Sequence, residues 1–211
     1  MDRDEIAAAT RVERHRLCDF LDELDDAEWT TPSLCSAWNV REVVAHLTTT
    51  TRETVGSVAK AAIKARGSFD RMTADGARDR APRFTTVELV QQLRESAESS
   101  RRMPGSGPMD PLMDVLVHGQ DIARPLDRRH LVRTEVAAPV LTYVAANRML
   151  GGPKRLAGLG LAATDASWSS GEGLQVRGGA VDLLLVATGR SAGLAGLTGD
   201  GVDRLAERLG G

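Results

Sequence analysis

The sequence has few aromatic residues, few cysteines and no long apolar run, and each shortage excludes a class of protein. Aromatic residues make up 3% of the 211 residues, too few for the stacking platforms that bind single-stranded nucleic acids. The two cysteines, Cys18 and Cys35, match no metal or redox spacing and are too few for a secreted disulfide framework. No stretch approaches the roughly 20 apolar residues of a membrane span. We therefore expect a reduced, cytoplasmic protein without a membrane or nucleic-acid partner.

The charge and the hydrophobic content are those of an ordinary globular protein. A formal net charge of −2 gives no field that would recruit a polyanion. Hydrophobic residues amount to 42%, enough for one sizeable domain or for one domain with a smaller appendage. The stretch Met1–Ile6 has neither the basic nor the apolar region of a signal peptide, which again predicts a cytoplasmic location.

Four segments carry apolar residues at steps of three and four and predict a four-helix bundle. These predicted helices are Arg3–Leu24, Asn39–Lys64, Thr86–Arg102 and Pro111–Arg124. Capping boxes at Asn39 with Glu42 and at Thr85 with Glu88 mark the starts of the second and third helices. Residues 65–82 show no sustained period and predict a long mobile connection, either a lid over the end of the bundle or a disordered loop.

The chain changes character after the bundle. A fifth helix is predicted from the apolar residues that recur between residues 136 and 150. Pro139 is expected to open this helix, and Gly151-Gly-Pro153 to end it. Apolar segments at residues 159–164 and 174–177 flank a turn-rich stretch and predict a β-hairpin. Two short helices are expected after it, at residues 180–188 and 201–209.

The predicted fold class is therefore mainly α: a four-helix bundle, a fifth helix and a small α/β C-terminal tail. We place the domain boundary at the glycine and proline stop. Residues 1–152 would form the helical bundle with the functional site, and residues 153–211 would form the small C-terminal α/β extension.

Asp114 and His118 form the strongest candidate site. A separation of four in a helix places two side chains on one face about a turn apart, close enough to share a ligand, and Asp121 lies on the same side. His46 lies on the inner side of the second predicted helix. One carboxylate and two imidazoles would make a three-ligand metal site with open positions, as in catalytic zinc. The alternative is a core histidine, His118, that is hydrogen-bonded to Asp114.

Other polar residues have weaker claims. The threonines at residues 48–51 make the second helix polar, which fits the wall of a cleft or a weakly packed surface. Cys35 lies near the presumed site and is either a reactive thiol or a structural one. His15 and His130 lie among charged residues and are expected to be solvated.

Two motifs together resemble the mycothiol-dependent maleylpyruvate isomerase family, within the DinB/YfiT-like superfamily of metalloenzymes. They are the segment from Trp38 to Leu47, which contains His46, and the segment from Asp114 to Arg124. The tail is similar too, at residues 163–168, 176–178, 182–190 and 197–205, so the likeness spans nearly the whole chain.

This resemblance implies a DinB-like bundle with a divalent metal, most suitably Zn²⁺, held by His46, Asp114 and His118. Family members usually carry Glu where this sequence has Asp114, whose side chain is shorter by about a methylene.

The resemblance also implies a thiol-dependent activity. Related enzymes use mycothiol, a low-molecular-weight thiol, as co-substrate for S-transfer or for cis–trans isomerisation of a small electrophile such as a maleylpyruvate-like compound. A dication with two imidazoles and one carboxylate keeps a net positive charge, so it favours the deprotonated form of a bound thiol. The arginines nearest the motifs, which could bind an anionic substrate, are Arg41, Arg52, Arg83 and Arg124.

A second class of function stays open, that of a non-catalytic small-molecule-binding or interaction protein built on the same bundle. The shorter carboxylate at Asp114 keeps this alternative open, because it would also fit a bundle that has lost its metal and turnover. Metal analysis of protein purified without chelator separates the two classes.

Overall fold

The computed structural model of the protein describes residues 1–210 and divides into two compact units. The first unit is Met1–His130 and the second begins at Leu131. This division moves the boundary that we expected after residue 152, because the fifth predicted helix packs within the second unit. The predicted fold class, a mainly α protein with a helical bundle and a small α/β tail, is confirmed.

The first unit contains six helices, four of which enclose one apolar core. Their bounds are α1 (Arg3–Leu21), α2 (Val40–Leu47), α3 (Val55–Lys64), α4 (Phe69–Arg80), α5 (Thr86–Ala97) and α6 (Asp110–Ala123). Helix α1 packs against α5 and α6, and α2 packs against the same two helices. The largest fully buried side chains of this core are Leu17, Leu21, Leu89, Leu93, Leu112, Leu116 and Ile122. Each contributes roughly 1.5–3 kcal/mol relative to an exposed position, so the core fixes the four bundle helices against one another.

The single helix predicted at Asn39–Lys64 is wrong, because the chain leaves the helix after Leu47. Three successive threonines turn their hydroxyls back to the preceding turn. Thr48 Oγ1 donates to Ala45 O at 2.7 Å, Thr49 Oγ1 to His46 O at 2.7 Å and Thr50 Oγ1 to Leu47 O at 3.3 Å. Such bonds satisfy the last carbonyls of α2 locally and compete with continuation of the helix. Helix α3 then starts anew at its own cap, Thr54.

The loop predicted at residues 65–82 is also wrong, because most of it forms α4. Ser68 caps this helix by accepting from Arg71 N, and Ala77 is buried on the side that packs against α2. Arg78 Nη2 adds a bond to Ala37 O at 2.9 Å. The segment is therefore an ordered wall beside α2.

The second unit contains a small sheet and four helices within the described residues. Its elements are α7 (Thr134–Ala146), α8 (Gly152–Arg155), β1 (Leu159–Ala163), β2 (Ser169–Ser170), β3 (Leu174–Gly178), α9 (Ala180–Ala187), β4 (Leu197–Thr198) and α10 (Val202–Gly210). Helix α7 packs on α9, and α9 packs on β1 and β3. The two short C-terminal helices expected at residues 180–188 and 201–209 are confirmed as α9 and α10. Pro139 lies inside α7 and does not open it.

The predicted hairpin between β1 and β3 is wrong, because these strands are parallel. In the part of the sheet that residues 1–210 describe, the strand order is β2-β1-β3-β4, with β2 antiparallel to β1. The chain crosses the end of β1 at Gly171 and Gly173, where φ is 76° and 122° and a Cβ would collide with Leu159 O and Gly158 O. These glycines therefore let the chain reach the other side of β1 before β3 begins.

No helix in residues 1–210 is long and apolar enough to cross a membrane.

Candidate metal centre

His46 is held by a short, well-capped helix. Asn39 accepts from Glu42 N at 3.0 Å, and the Glu42 carboxylate accepts from Asn39 N at 2.9 Å, so the predicted capping box is formed. Val43 and Val44 are fully buried one turn later and fix the rotation of α2. His46 follows them in the last turn, with 17% of its side chain exposed.

Asp114 and His118 belong to α6, which lies beside α2 and runs in the opposite direction. Leu34, which precedes α2, donates its N–H to Asp121 O at 3.0 Å. His46, near the end of α2, approaches Asp114, which comes before Asp121 along α6, so the order of the contacts is reversed between the two helices. The apolar residues of α6, among them Leu112, Val115 and Leu116, are buried. The helix is therefore held by its apolar stripe, and its polar residues line the gap between α2 and α6.

Both imidazoles approach the same oxygen of Asp114. His46 Nε2 lies 3.5 Å from Asp114 Oδ1, and His118 Nε2 lies 3.3 Å from it. The three ligand atoms lie within 4.8 Å of one another, and the two ring centroids are 5.1 Å apart. Ligand atoms about 2.1 Å from a tetrahedral zinc ion are about 3.4 Å apart, so this donor set fits a divalent ion. Asp114 keeps 22% of its side chain exposed, so the cluster is open on one side.

The second nitrogen of His118 is engaged by a different carboxylate. His118 Nδ1 lies 2.8 Å from Asp121 Oδ2, and Cys35 Sγ donates to the same oxygen at 3.1 Å. The Asp121 side chain is fully buried. A carboxylate on the far nitrogen fixes the orientation and tautomer of a metal-binding imidazole, so Asp121 leaves Nε2 of His118 directed at Asp114.

A second possible ligand group, Cys35, His118 and Asp121, lies on the Nδ1 side of the same ring. Cys35 Sγ is 3.7 Å from His118 Nδ1. The hydrogen bond at 2.8 Å between Nδ1 and Asp121 already uses that nitrogen. The arrangement therefore favours the Nε2 side for a metal and leaves Cys35 as a thiol that hydrogen-bonds to the supporting carboxylate.

Trp38 covers one face of the cluster. Its ring stacks on His46 with centroids 5.0 Å apart and an interplanar angle of 28°, and it lies 5.9 Å from the ring of His118. Trp38 Nε1 donates to Ala74 O at 3.4 Å, which ties the indole to α4. The segment predicted as a loop thus supports the wall that orients His46.

The charges of the site oppose the effect of burial. Burial acts to raise the pKa of Asp114, but the charge of His46 and hydrogen bonds from His118 and His46 hold that pKa well below its usual value. Burial likewise acts to lower the pKa of His118, but hydrogen bonds to Asp114, Asp121 and Cys35 raise it well above 6.5. Asp114 is therefore an anion at neutral pH, the form in which a carboxylate binds a metal.

Three of the four arginines selected from the sequence bond to residues outside this cluster, and the fourth is exposed. Arg41 Nη2 donates to Phe84 O, and Arg52 pairs with Glu95 at 3.1 Å. Arg124 Nε donates to Gln120 at 3.2 Å, and Arg83 is exposed.

Sequence reasoning missed a fifth arginine, Arg14 of α1, which is 4% exposed. Its signal was present, because Thr10, Arg14, Leu17 and Leu21 follow one helical stripe at steps of four, three and four. A basic residue inside that stripe points to the interior.

The two remaining histidines differ from each other. His15 is partly exposed, with 38% of its side chain accessible, in agreement with the prediction of a solvated residue, and its Nε2 lies 2.8 Å from Glu98. The prediction of a solvated His130 is wrong: its ring packs 5.4 Å from that of Phe20 and beside Gly119. Burial and the charge of Arg16 lower the pKa of His130 to about 4.

Comparison with known proteins gives one family match and two similar structures. Residues 10–111 match the family described as mycothiol maleylpyruvate isomerase N-terminal domain. This range contains His46 but ends before Asp114 and His118. No curated protein matches the sequence.

The two solved structures are similar over most of both chains. A crystal structure of a histidine-to-alanine mutant of the mycothiol-dependent maleylpyruvate isomerase has a TM-score of 0.61 at 14% identity, and the alignment covers 95% of this chain and 93% of that one. A crystal structure of the mycothiol-dependent maleylpyruvate isomerase has a TM-score of 0.57 at 18% identity with the same coverage. At such identities the likeness shows a common fold.

Proposed function

The chain belongs, through residues 10–111, to the mycothiol maleylpyruvate isomerase family, and from this membership we propose a metal-dependent enzyme that uses a low-molecular-weight thiol. The proposed thiol is mycothiol. The proposed reaction is cis–trans isomerisation, or S-transfer, of a small electrophilic substrate of the maleylpyruvate type.

One observation carries the proposal: two imidazole nitrogens from two helices meet one carboxylate oxygen. The distances of 3.5 Å and 3.3 Å to Asp114 Oδ1 suit neighbouring ligands of one ion. Two imidazoles and a carboxylate favour zinc, iron or nickel over magnesium, and zinc is our proposal. When bound, the ion would lower the pKa of a thiol at its open position.

The residues of the chain have separate roles in this proposal. Asp114 would contribute the negative charge that holds a dication between two imidazoles, and His118, whose pKa is raised in the metal-free site, would lose its proton when the ion binds. Asp121 positions His118 by accepting from Nδ1 at 2.8 Å. Trp38 excludes water from one face of His46. Isomerisation by thiol addition, bond rotation and elimination needs no redox change, so the site requires no electron carrier.

The Asp at position 114 is compatible with this role. Its Oδ1 already lies within 3.5 Å of both imidazoles, so the shorter side chain reaches the cluster. This contact favours the enzyme over the alternative of a binding protein that has lost its metal.

The test is a turnover assay with mycothiol and maleylpyruvate on protein purified without chelator. We expect activity that requires the thiol, disappears on treatment with a chelator and returns with Zn²⁺. His118→Ala should abolish it, whereas His15→Ala, which changes a partly exposed histidine of the same unit outside the cluster, should not. A protein that binds zinc and mycothiol but turns over neither maleylpyruvate nor other electrophiles would support the binding-protein alternative.

A further inference from the structure

Arg14 is a buried cation that the proposed chemistry has not used. It lies in the middle of α1 with 4% of its surface exposed. A guanidinium is costly to bury unless its donors are satisfied. Arg14 Nη1 donates to Ser96 O at 2.7 Å, near the end of α5. Within residues 1–210, the structure gives Nε and Nη2 no hydrogen-bond partner.

Contacts between α1 and α6 place Arg14 at the level of the metal centre. Leu17 lies beside Gly119. Arg52 donates both to Thr48 O, just after His46, and to Gln92 O, one turn before the Ser96 carbonyl to which Arg14 donates, so Arg14 lies toward the end of the bundle that holds His46 and Asp114. Arg14 comes about one turn before Leu17, and Asp114 comes somewhat more than one turn before Gly119. Arg14 and Asp114 therefore occupy neighbouring levels of adjacent helices.

The electrostatics agree with this placement. Burial lowers the pKa of Arg14, and the negative charge of Asp114 opposes that effect, so the two groups are within electrostatic range. Within the described residues no ion pair joins them directly. A small anion could thus lie between the guanidinium and the cluster.

The interior near Arg14 is polar on several helices. Besides His118, Gln120 and Asp121 on α6, the buried polar residues of the bundle are Thr10, Glu13 and Arg14 on α1, Thr48 and Thr51 after α2, and Ser96 on α5. Arg52 and Arg80, the other arginines that bond to this region, use their donors on Thr48 and Gln92. Arg14 alone among these three keeps two nitrogens available.

We propose that Arg14 binds a carboxylate of the substrate, with Nε and Nη2 donating to its oxygens. The planar fork of a guanidinium matches a carboxylate and holds it in a fixed orientation. The ligand class is a small organic carboxylate, and Arg14 would set its position relative to His46, Asp114 and His118. This inference rests on the proposed function for the identity of the site, but it can be tested without turnover.

The experiment measures binding of succinate to the zinc-loaded full chain by isothermal titration calorimetry. Succinate carries the carboxylates but lacks a double bond for thiol addition, and neutral succinamide is the control ligand. Arg14→Gln should weaken succinate binding about tenfold or more, since hydrogen bonds between charged groups are the strong ones. Arg14→Lys, which keeps the charge but not the fork, should weaken it less. Arg11→Gln, an exposed arginine on the same helix, should leave it unchanged.

A second readout separates ligand binding from a structural role at Ser96. On the unmutated protein, the Nε–H signal of Arg14 in a ¹H–¹⁵N NMR spectrum, assigned by its loss in Arg14→Lys, should shift when succinate is added. In the turnover assay, Arg14→Lys should raise the KM for the electrophile and leave that for the thiol unchanged. A purely structural Arg14 would produce neither effect.

Three results would overturn the inference: no succinate binding by the wild type, equal binding by Arg14→Gln, or an Arg14 signal that succinate does not move. These results do not depend on turnover, and repeating the titration on the chain without added zinc separates them from the metal. If the protein takes up no zinc but binds succinate through Arg14, the proposed function is wrong and the inference about Arg14 is kept. If turnover requires zinc but Arg14→Gln binds succinate as well as the wild type does, the proposed function is kept and the inference about Arg14 fails.

Discussion

Replacing His130 with glutamine should reduce the loss of stability on acidification. The His130 ring packs 5.4 Å from that of Phe20 and beside Gly119. Burial and the charge of Arg16 lower its pKa from 6.5 to about 4. The unfolded chain therefore takes up a proton at a higher pH than the folded chain. Stability from the neutral imidazole is fully present above pH 6.5 and is lost as the pH falls toward 4.

The magnitude follows from proton linkage. A pKa difference of one corresponds to about 1.36 kcal/mol, so His130 should cost about 2 kcal/mol of unfolding free energy between about pH 7.5 and about pH 5. The assay is urea unfolding of the wild type, His130→Gln and the control His15→Gln at both pH values. The control should keep the full pH dependence, and His130→Gln should lose about 2 kcal/mol of it.

The reasoning would be refuted if all three proteins lost equal stability on acidification. An NMR titration tests the same point directly, because it measures the pKa of His130 in the folded protein. A value near 6.5 would contradict the argument that burial lowers this pKa.

Four further substitutions, at three residues, test the site and its support. Asp121→Asn should weaken zinc binding by roughly 10- to 100-fold in a competition titration, because the carboxylate that orients His118 loses its charge; an unchanged affinity would assign Asp121 a packing role only. Asp114→Glu should retain or tighten zinc in the same titration and Asp114→Asn should weaken it, because charge governs the ranking; equal binding by Asn and Asp would show that Asp114 is not a ligand. Gly119→Ala places a Cβ 2.8 Å from His130 Cδ2, so it should cost about 1–3 kcal/mol by overpacking, against at most about 1 kcal/mol gained in helix propensity. Urea unfolding measures that loss, and a pKa of His130 that stays near 4 would show that the ring had not moved.

Helices with a clear apolar stripe and a cap could be predicted from the sequence. The start of α2 follows from the Asn39 and Glu42 box, and α6 follows from its stripe and from Pro111, which is tolerated in the first turn. In these segments the local helix signals and the packing in the folded protein favour the same structure, so the sequence pattern is enough to predict the helix.

The break after α2 and the helix α4 could not be predicted, for different physical reasons. Each threonine of residues 48–50 is acceptable in a helix by itself, and it is their joint bonds to preceding carbonyls that compete with its continuation. In α4 only Ala77 is buried, so no apolar stripe marks the segment. Contacts with residues distant in sequence, such as Trp38, hold it in place.

The site itself was partly visible in the sequence. A spacing of four showed that Asp114 and His118 share a face, and the structure brings His46 to them. The role of Asp121 depends on which nitrogen of His118 it meets, and spacing does not specify that. That these residues bind a metal stays a prediction.

The most direct test of the central claim is the metal stoichiometry of the full chain. Protein purified without chelator and loaded with Zn²⁺ should hold one tightly bound ion per chain after desalting, measured by inductively coupled plasma mass spectrometry. His46→Ala and His118→Ala should each lose it, and His15→Ala should keep it. A wild-type chain that retains no ion, or a His118→Ala variant that still holds one, would contradict the assignment of His46, Asp114 and His118 as a metal centre.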